Sequence, residues 1–386
     1  KRFNMNVVIF ASDAKALSSL NSIIQEAGKQ GIRLFAMITQ STQLKHPKFQ
    51  QNHFQILCNV ERKKVVWSDS LNVDLPFKPD WLIVNRERWD PELGIINEFK
   101  QKFNCKIGLV EPNASLLNNA ETRLETYSKN RFINLIDVFF DHSNFASKQR
   151  RLAGFTGNLK VVGNPKYDLN TKVGDGVLNQ LKQHYNVDPN KKQVLLFSLV
   201  NGHRQNINQL FKDYIKSNPD NQYFYKPYPG EPFDPKFNSD FNPTFVLPNC
   251  TPIIDENHIW GMFEICDTHI GSMSSIIHAT LLAKKEYIDF SKQLNIDKKY
   301  LDISGVFQER GPGLENNLAM WMRSFNFKDV SELKALLPDE YIEGIRESNN
   351  QVWNNLDNPE KLLTLFDDHN DGQASKRIIN YIQNEL

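Results

Sequence analysis

Cysteine is scarce: four residues in 386, Cys58, Cys105, Cys250 and Cys266, with no C-x-x-C pair among them. A disulfide framework or a structural zinc site needs grouped thiols, so neither is expected, and a reduced, cytoplasmic setting is the simplest reading. Long apolar runs are missing too. None approaches the roughly 18 to 20 residues that cross a bilayer. The opening KRFNMNVVIFASD has an apolar run of only about five residues and reads as a first buried strand, not a signal peptide. An excess of one charge is also absent, with 46 Lys and Arg against 45 Asp and Glu. A polyanion binder carries a basic surplus, so nucleic acid is disfavoured as a partner. The densest basic stretch, SKQRRLAG (Ser147 to Gly154), reads as a solvated helix face. There is no Asp-x-Asp motif and no internal repeat of solenoid period.

What is present is a globular composition, 40% hydrophobic and 24% charged, on a chain long enough for two domains. Short apolar runs alternate with amphipathic ones. NVVIF is followed by AKALSSLNSIIQEAGKQ, whose Leu17, Leu20 and Ile24 recur at helical spacing. IRLFAMI, FQILCNV, WLIVN, KIGLV, DVFF and LKVVG read as further strands, with PELGIINEFKQKF and NNAETRLETYSKN as helices between them. A turn-rich segment, NPKYDLNTKVGDG, then interrupts the pattern. The alternation restarts with QVLLFSLV, QYFYKPYP, TFVLP, TPII, DTHIG and EYIDF as strands. Strands separated by helices imply parallel sheets with right-handed crossovers. The expected fold is therefore α/β, with two doubly wound, Rossmann-like domains. Their expected bounds are 1–163, a linker 164–190, a second domain 191–370, and a closing helix 371–386 that packs back on the first domain. Ligands of such sheets sit beyond the carboxyl ends of strands, and two facing sheets make a cleft.

Two stretches carry the chemistry. In KPYPGE, the prolines at 227 and 229 stop a strand and hold Lys226 and Tyr228 on a stiff loop. In HIGSMSSIIHATLL, Gly271, Ser272, Ser274 and Ser275 lie between a strand and an apolar helix. Ser274 or Ser275 can simply cap that helix; the free N–H groups there can also bind a phosphate. A cation, a ring and a phosphate site on one rim suit a nucleotide. Asn201, Gly202 and Arg204 in VNGHRQN follow another strand and could meet the leaving diphosphate, or could merely open a helix. Glu111 in GLVEPNAS and Asp13 in IFASDAKAL each end a strand of the first half. Either could take a proton from an acceptor hydroxyl, Glu111 first and Asp13 second, or serve as a cap or loop acid. Asp267 and His269 bracket one residue, a spacing a metal could use, but no third ligand lies near and no metal is expected.

Lys226-Pro227-Tyr228-Pro229 resembles the Lys-Pro-His-Pro loop of GT-B fold glycosyltransferases that build bacterial surface polysaccharides: capsule Kdo transferases, GT-B sialyltransferases and CDP-glycerol glycerophosphotransferases. Ser274-Ser275 resembles their phosphate site. VVGNPKYD (Val161 to Asp168) is similar to their V-x-G-N-P-R-F-D junction, which brings in Gly163 and Asn164, and DGQASKRI (from Asp371) to their closing helix. The likeness runs from about Val161 onward. Tyr228 replaces the usual His, and His278 stands where many UDP-sugar enzymes carry a ribose-binding Glu. His278 could meet ribose or phosphate, or be a core histidine.

The resemblance implies a metal-independent glycosyltransferase with no cofactor. It would move a Kdo- or sialic-acid-like sugar from a nucleotide-activated, cytidine-linked donor to a glycan or lipid-linked acceptor. A lipid-linked acceptor would bring the chain to the inner face of the membrane. A CDP-glycerol-type transferase, a sugar-nucleotide epimerase or hydrolase, and a non-catalytic nucleotide-sugar-binding protein are the alternatives.

Overall fold

The computed structural model describes residues 5–11, 14–39, 65–68, 75, 77–85, 90–110, 133–152, 155–168, 173–198, 204–227, 243, 247–255, 258–271, 276–290, 293, 347, 351, 354–355 and 358–385. The chain divides into two compact units. One comprises Lys1–Leu169, Lys298–Trp353 and Thr364–Leu386; the other comprises Asn170–Asp297 and Asn354–Leu363. The segment 164–190, expected as a linker, is thus shared: its first residues belong to the first unit and its helix to the second. Among the described residues no helix is long and apolar enough to cross a membrane.

The first unit is built on a seven-stranded parallel sheet. Its strands are β1 (Asn6–Ala11), β2 (Arg33–Thr39), β3 (Val65–Ser68), β4 (Trp81–Val84), β5 (Lys106–Val110), β6 (Val138–Asp141) and β7 (Leu159–Val161), in the order β3-β2-β1-β4-β5-β6-β7. The runs are apolar on both faces because both are covered. Val7, Ile9 and Ala11 of β1 face α1 (Ala14–Lys29) through Leu20, Ile23, Ile24 and Ala27. Val8 and Phe10 face the other way, toward Ile95, Ile96 and Phe99 of α2 (Asp90–Phe103). β3 was not among the expected strands, whereas FQILCNV and the helix in NNAETRLETYSKN lie outside the described residues.

One expectation is overturned on α3 (Asn144–Leu152). Its basic residues do not form a uniformly solvated face: Arg150 is fully buried. Its Nη2 lies 2.8 Å and its Nε 2.9 Å from Oδ1 of Asp141, itself fully buried at the end of β6. The guanidinium carbon stacks 3.2 Å from the Phe139 ring centroid. A planar cation can be buried when a carboxylate neutralises it and an aromatic face takes its flat side. Charge density in the sequence cannot reveal such a partner.

The second unit has five parallel strands, β8 (Gln193–Phe197), β9 (Gln222–Lys226), β10 (Cys250–Pro252), β11 (Thr268–Gly271) and β12 (Glu286–Asp289), in the order β10-β9-β8-β11-β12. Its described helices include α4 (Asp175–His184), α5 (Arg204–Ser217), α6 (Ile259–Ile265) and α7 (Ile276–Leu282). Ile207, Phe211 and Ile215 of α5 cover Val194, Leu196, Tyr223, Tyr225 and Ile270 on one face. On the other, Phe263 of α6 packs 5.3 Å from Phe197 and 4.8 Å from His269, centroid to centroid. Strand β8 ends at Phe197, three residues before the end of the expected run. In TFVLP, Leu247 and Pro248 are not strand, and Thr244 to Val246 lie outside the described residues.

The last helix, α8 (Ala374–Asn384), joins the core of the first unit through Ile378, Ile379 and Ile382. Its start meets the segment after β7. Oδ1 of Asp168 accepts from Ala374 N at 3.1 Å and Oδ2 from Ser375 N at 2.5 Å, which satisfies two otherwise unpaired donors of the helix. Asp367 accepts from the N–H groups of Asn164 (2.9 Å), His369 (2.9 Å) and Asn370 (3.0 Å). Gly163 has φ of +90°, and a Cβ there would lie 3.0 Å from Asp367 Oδ1, so the turn requires glycine. The motifs VVGNPKYD and DGQASKRI are therefore each other's partners.

Candidate functional site

The register of the second sheet brings the two chemical motifs to one edge. Phe197 pairs with Lys226, Leu196 with Ile270, and Gly271 with Asp289. Lys226, Phe197, Gly271 and Asp289 thus form one row across the carboxyl rim. With adjacent strands about 4.8 Å apart, the backbones at Lys226 and Gly271 are on the order of 10 Å from each other. The residues just past the row are tied together: Ser198 N donates to Lys226 O at 3.0 Å and Phe290 N to Gly271 O at 2.8 Å. The sheet winds outward from β8 through β9 and β10 on one side and through β11 and β12 on the other. The β8/β11 boundary is therefore its topological switch point, where sheets of this kind bind ligands.

Lys226 is 8% exposed and its Nζ donates to Pro227 O at 2.9 Å. Arg204 is the first residue of α5, and His278 lies within α7. Tyr228, Pro229, Asn201, Gly202, Ser272, Ser274 and Ser275 lie outside the described residues.

Ser198 is a residue the sequence reading missed. It is the first residue past β8, between the strand of Lys226 and that of Gly271. Its Oγ is buried and has no hydrogen-bond partner among the described residues. A buried hydroxyl without a partner costs stability, and such groups concentrate where a ligand completes them. The signal was a single polar residue ending an apolar run; running the strand to Val200 concealed it. Beside it, a Cβ on Gly271 would lie 3.2 Å from the Tyr287 hydroxyl. Burial, and next the Asp289 carboxylate, push that phenol well above the usual tyrosine range, so it remains a donor.

Asp267 and His269 do not combine as a metal pair. Asp267 Oδ2 accepts from Gln193 N at 3.1 Å, and the His269 Nδ1 shares a proton with Thr280 Oγ1 at 2.9 Å. His269 is fully buried against Phe197 and Phe263; burial lowers its pKa to about 3 and keeps the ring neutral. Among the described residues no group of three or more His, Cys, Asp or Glu could hold a metal ion.

In the first unit, Glu111 and Asp13 also lie outside the described residues, but β1 ends at Ala11 and β5 at Val110, on either side of β4 at the same carboxyl rim. Gly163 and Asn164, expected near the nucleotide, belong to the junction described above. Asn164 is 1% exposed, its N–H bonds Asp367, and its Oδ1 accepts from Lys166 N at 3.1 Å. Both residues are committed to holding the chain of the first unit.

No protein-family model and no curated protein matches the chain. Solved structures do. A UDP-GlcNAc 2-epimerase from Neisseria meningitidis bound to UDP-GlcNAc is 14% identical, with a TM-score of 0.59 over 98% of this chain and 100% of that one. The UDP-GlcNAc 2-epimerase of Methanocaldococcus jannaschii is 12% identical, with a TM-score of 0.57 over 99% and 100%. The wall teichoic acid polymerase TagF is 15% identical, with a TM-score of 0.55 over 100% and 90%. At these identities the likeness establishes the fold, the α/β arrangement of two parallel sheets of GT-B type that these enzymes have.

Proposed function

We propose that the chain is an enzyme acting on a nucleotide-linked sugar or polyol, with the nucleotide at the carboxyl rim of the second sheet. One observation carries this reading: the switch point at which the Lys226 strand, the Ser198 hydroxyl, unpartnered among the described residues, and the close-packed Gly271 at the end of β11 converge. A cation and a hydroxyl donor suit a diphosphate, and in sequence Ser272, Ser274 and Ser275 follow Gly271. The solved relatives in fold point the same way: one is an epimerase bound to UDP-GlcNAc and another a wall teichoic acid polymerase.

Within that class, the Lys-Pro-Tyr-Pro loop favours transfer from a cytidine-linked donor, of Kdo, sialic acid or polyol phosphate type, to a surface glycan or its lipid-linked precursor. The departing phosphate would be stabilised by Lys226 and the rim hydroxyls, and a carboxylate of the first unit, Glu111 or Asp13, would take the acceptor proton. Such a reaction needs no bound metal and would run in the cytoplasm, at the inner membrane face when the acceptor is lipid-linked. A second reading, epimerisation of a UDP-sugar, is favoured by the two epimerases of the same fold.

Calorimetry with CMP, CDP, UDP and GDP tests the class, and the preferred base separates the two readings. Ser198→Ala should weaken the preferred nucleotide up to about tenfold, the range of one neutral hydrogen bond, without lowering the unfolding temperature. A wild-type protein that binds none of the four refutes the proposal.

A further inference from the structure

The sheet of the first unit has its own switch point, between β1 and β4, and one polar residue stands on it. Asn85 is the first residue past β4 and is 1% exposed. Phe10 pairs with Val84, and Val84 with Leu109. Asn85 is therefore level with Ala11 and Val110, the fully buried last residues of β1 and β5. Trp81 and Ile83 of β4 face the α1 side, as do Ala11 and Val110. Strand alternation assigns Asn85 to that side too, in an otherwise apolar row. Its Oδ1 has no hydrogen-bond partner among the described residues.

An amide left without a partner in an apolar row destabilises the free protein, and a Leu of the same shape would not. Its position gives the orphan a use, because ligands of doubly wound sheets bind at the switch point beyond the strand ends. The chemistry of the atom narrows the ligand. A carbonyl oxygen only accepts, and phosphate oxygens at neutral pH also accept, so a phosphate leaves Oδ1 unsatisfied. A hydroxyl satisfies it.

We infer that Asn85 is a substrate-binding residue whose side-chain carbonyl accepts from a hydroxyl of a sugar or polyol. The hydroxyl belongs to the acceptor, the substrate expected at this unit. The assignment rests on the function proposed above and deepens it. In sequence, Asp13 lies two residues beyond Ala11 and Glu111 one beyond Val110, so the strands flanking Asn85 lead to the two candidate bases.

The test compares wild type with Asn85→Leu and Asn85→Asp in three measurements: unfolding temperature without ligand, affinity for CDP and UDP, and turnover of CDP-glycerol and UDP-GlcNAc with and without acceptor. Asn85→Leu should unfold at the wild-type temperature or above it and bind CDP and UDP as wild type does. It should lose tenfold or more in kcat/KM. Asn85→Asp, which keeps an acceptor oxygen of the same reach, should retain more turnover than the Leu variant. The loss should be confined to transfer; an equal loss in acceptor-free hydrolysis overturns the assignment to the acceptor. Asn85→Leu that unfolds several degrees lower, or fails to fold, overturns the inference, because the amide then has a structural partner. Unchanged turnover in that variant also overturns it while leaving the nucleotide reading intact. Wild-type protein that binds no nucleotide, or turns over neither substrate, removes the proposed function and this assignment with it.

Discussion

Arg150→Ala should be among the most damaging single substitutions in the first unit. The wild-type side chain is fully buried, bonds one oxygen of a fully buried carboxylate through Nε and Nη2, and lies flat on Phe139. Truncation leaves Asp141 with the Ser147 hydroxyl, which donates to Oδ2 at 2.7 Å. Removing one partner of a buried ion pair costs about 3–5 kcal/mol, and the lost ring contact about 1 kcal/mol more. At roughly 2–4 °C per kcal/mol for a unit of this size, the first unit should melt about 8–24 °C lower in scanning calorimetry. The transition of the second unit should stay in place. Arg150→Met with Asp141→Leu should recover most of the loss, because the two charges leave together and the apolar side chains fill their space. A fall of less than about 3 °C for Arg150→Ala would show that the carboxylate reaches water and that the burial inferred here is wrong.

Two further outcomes follow from the packing. Asp168→Ala removes the acceptor of two helix-start N–H groups and should cost the first unit about 1–2 kcal/mol. Burial raises the Asp168 carboxyl above its ordinary value, so the fold binds that proton more tightly than the unfolded chain does. The resulting stability is present below the ordinary value and lost as pH rises through the raised one. The melting temperature of wild type relative to Asp168→Asn should therefore climb as pH falls from neutral; a constant difference would contradict the assignment. Burial also pushes the Cys105 thiol to about 11 and those of Cys250 and Cys266 higher still. Since thiolate is the reactive form, Ellman's reagent at pH 8 should titrate at most one thiol, Cys58, in folded protein and all four in guanidinium. Two or more fast thiols in the folded state would refute that burial.

Much of the fold was legible because its signals are local. Runs such as NVVIF and KIGLV are apolar at every position after the first, as strands covered on both faces must be, and helical spacing separates them. The double proline after Lys226 marked a strand end because proline cannot extend a ladder. Ser198 was missed because its local signal, one serine breaking the apolar run QVLLFSLV, is weak, and its lack of a partner among the described residues is what makes it informative.

By itself, then, the sequence determined the alternation of strands and helices, the parallel sense of both sheets and the end of the strand at Lys226, since each follows from the period and chemistry of adjacent residues. The tertiary structure alone decided which strands are neighbours. That order puts Ser198 between Lys226 and Gly271, sets Asn85 between the strands leading to Asp13 and Glu111, buries Arg150 on Asp141, and closes Asp168 onto a helix some two hundred residues later. Such contacts form between surfaces distant in the chain, where side-chain shape and charge select the partner and sequence spacing carries no record of the choice.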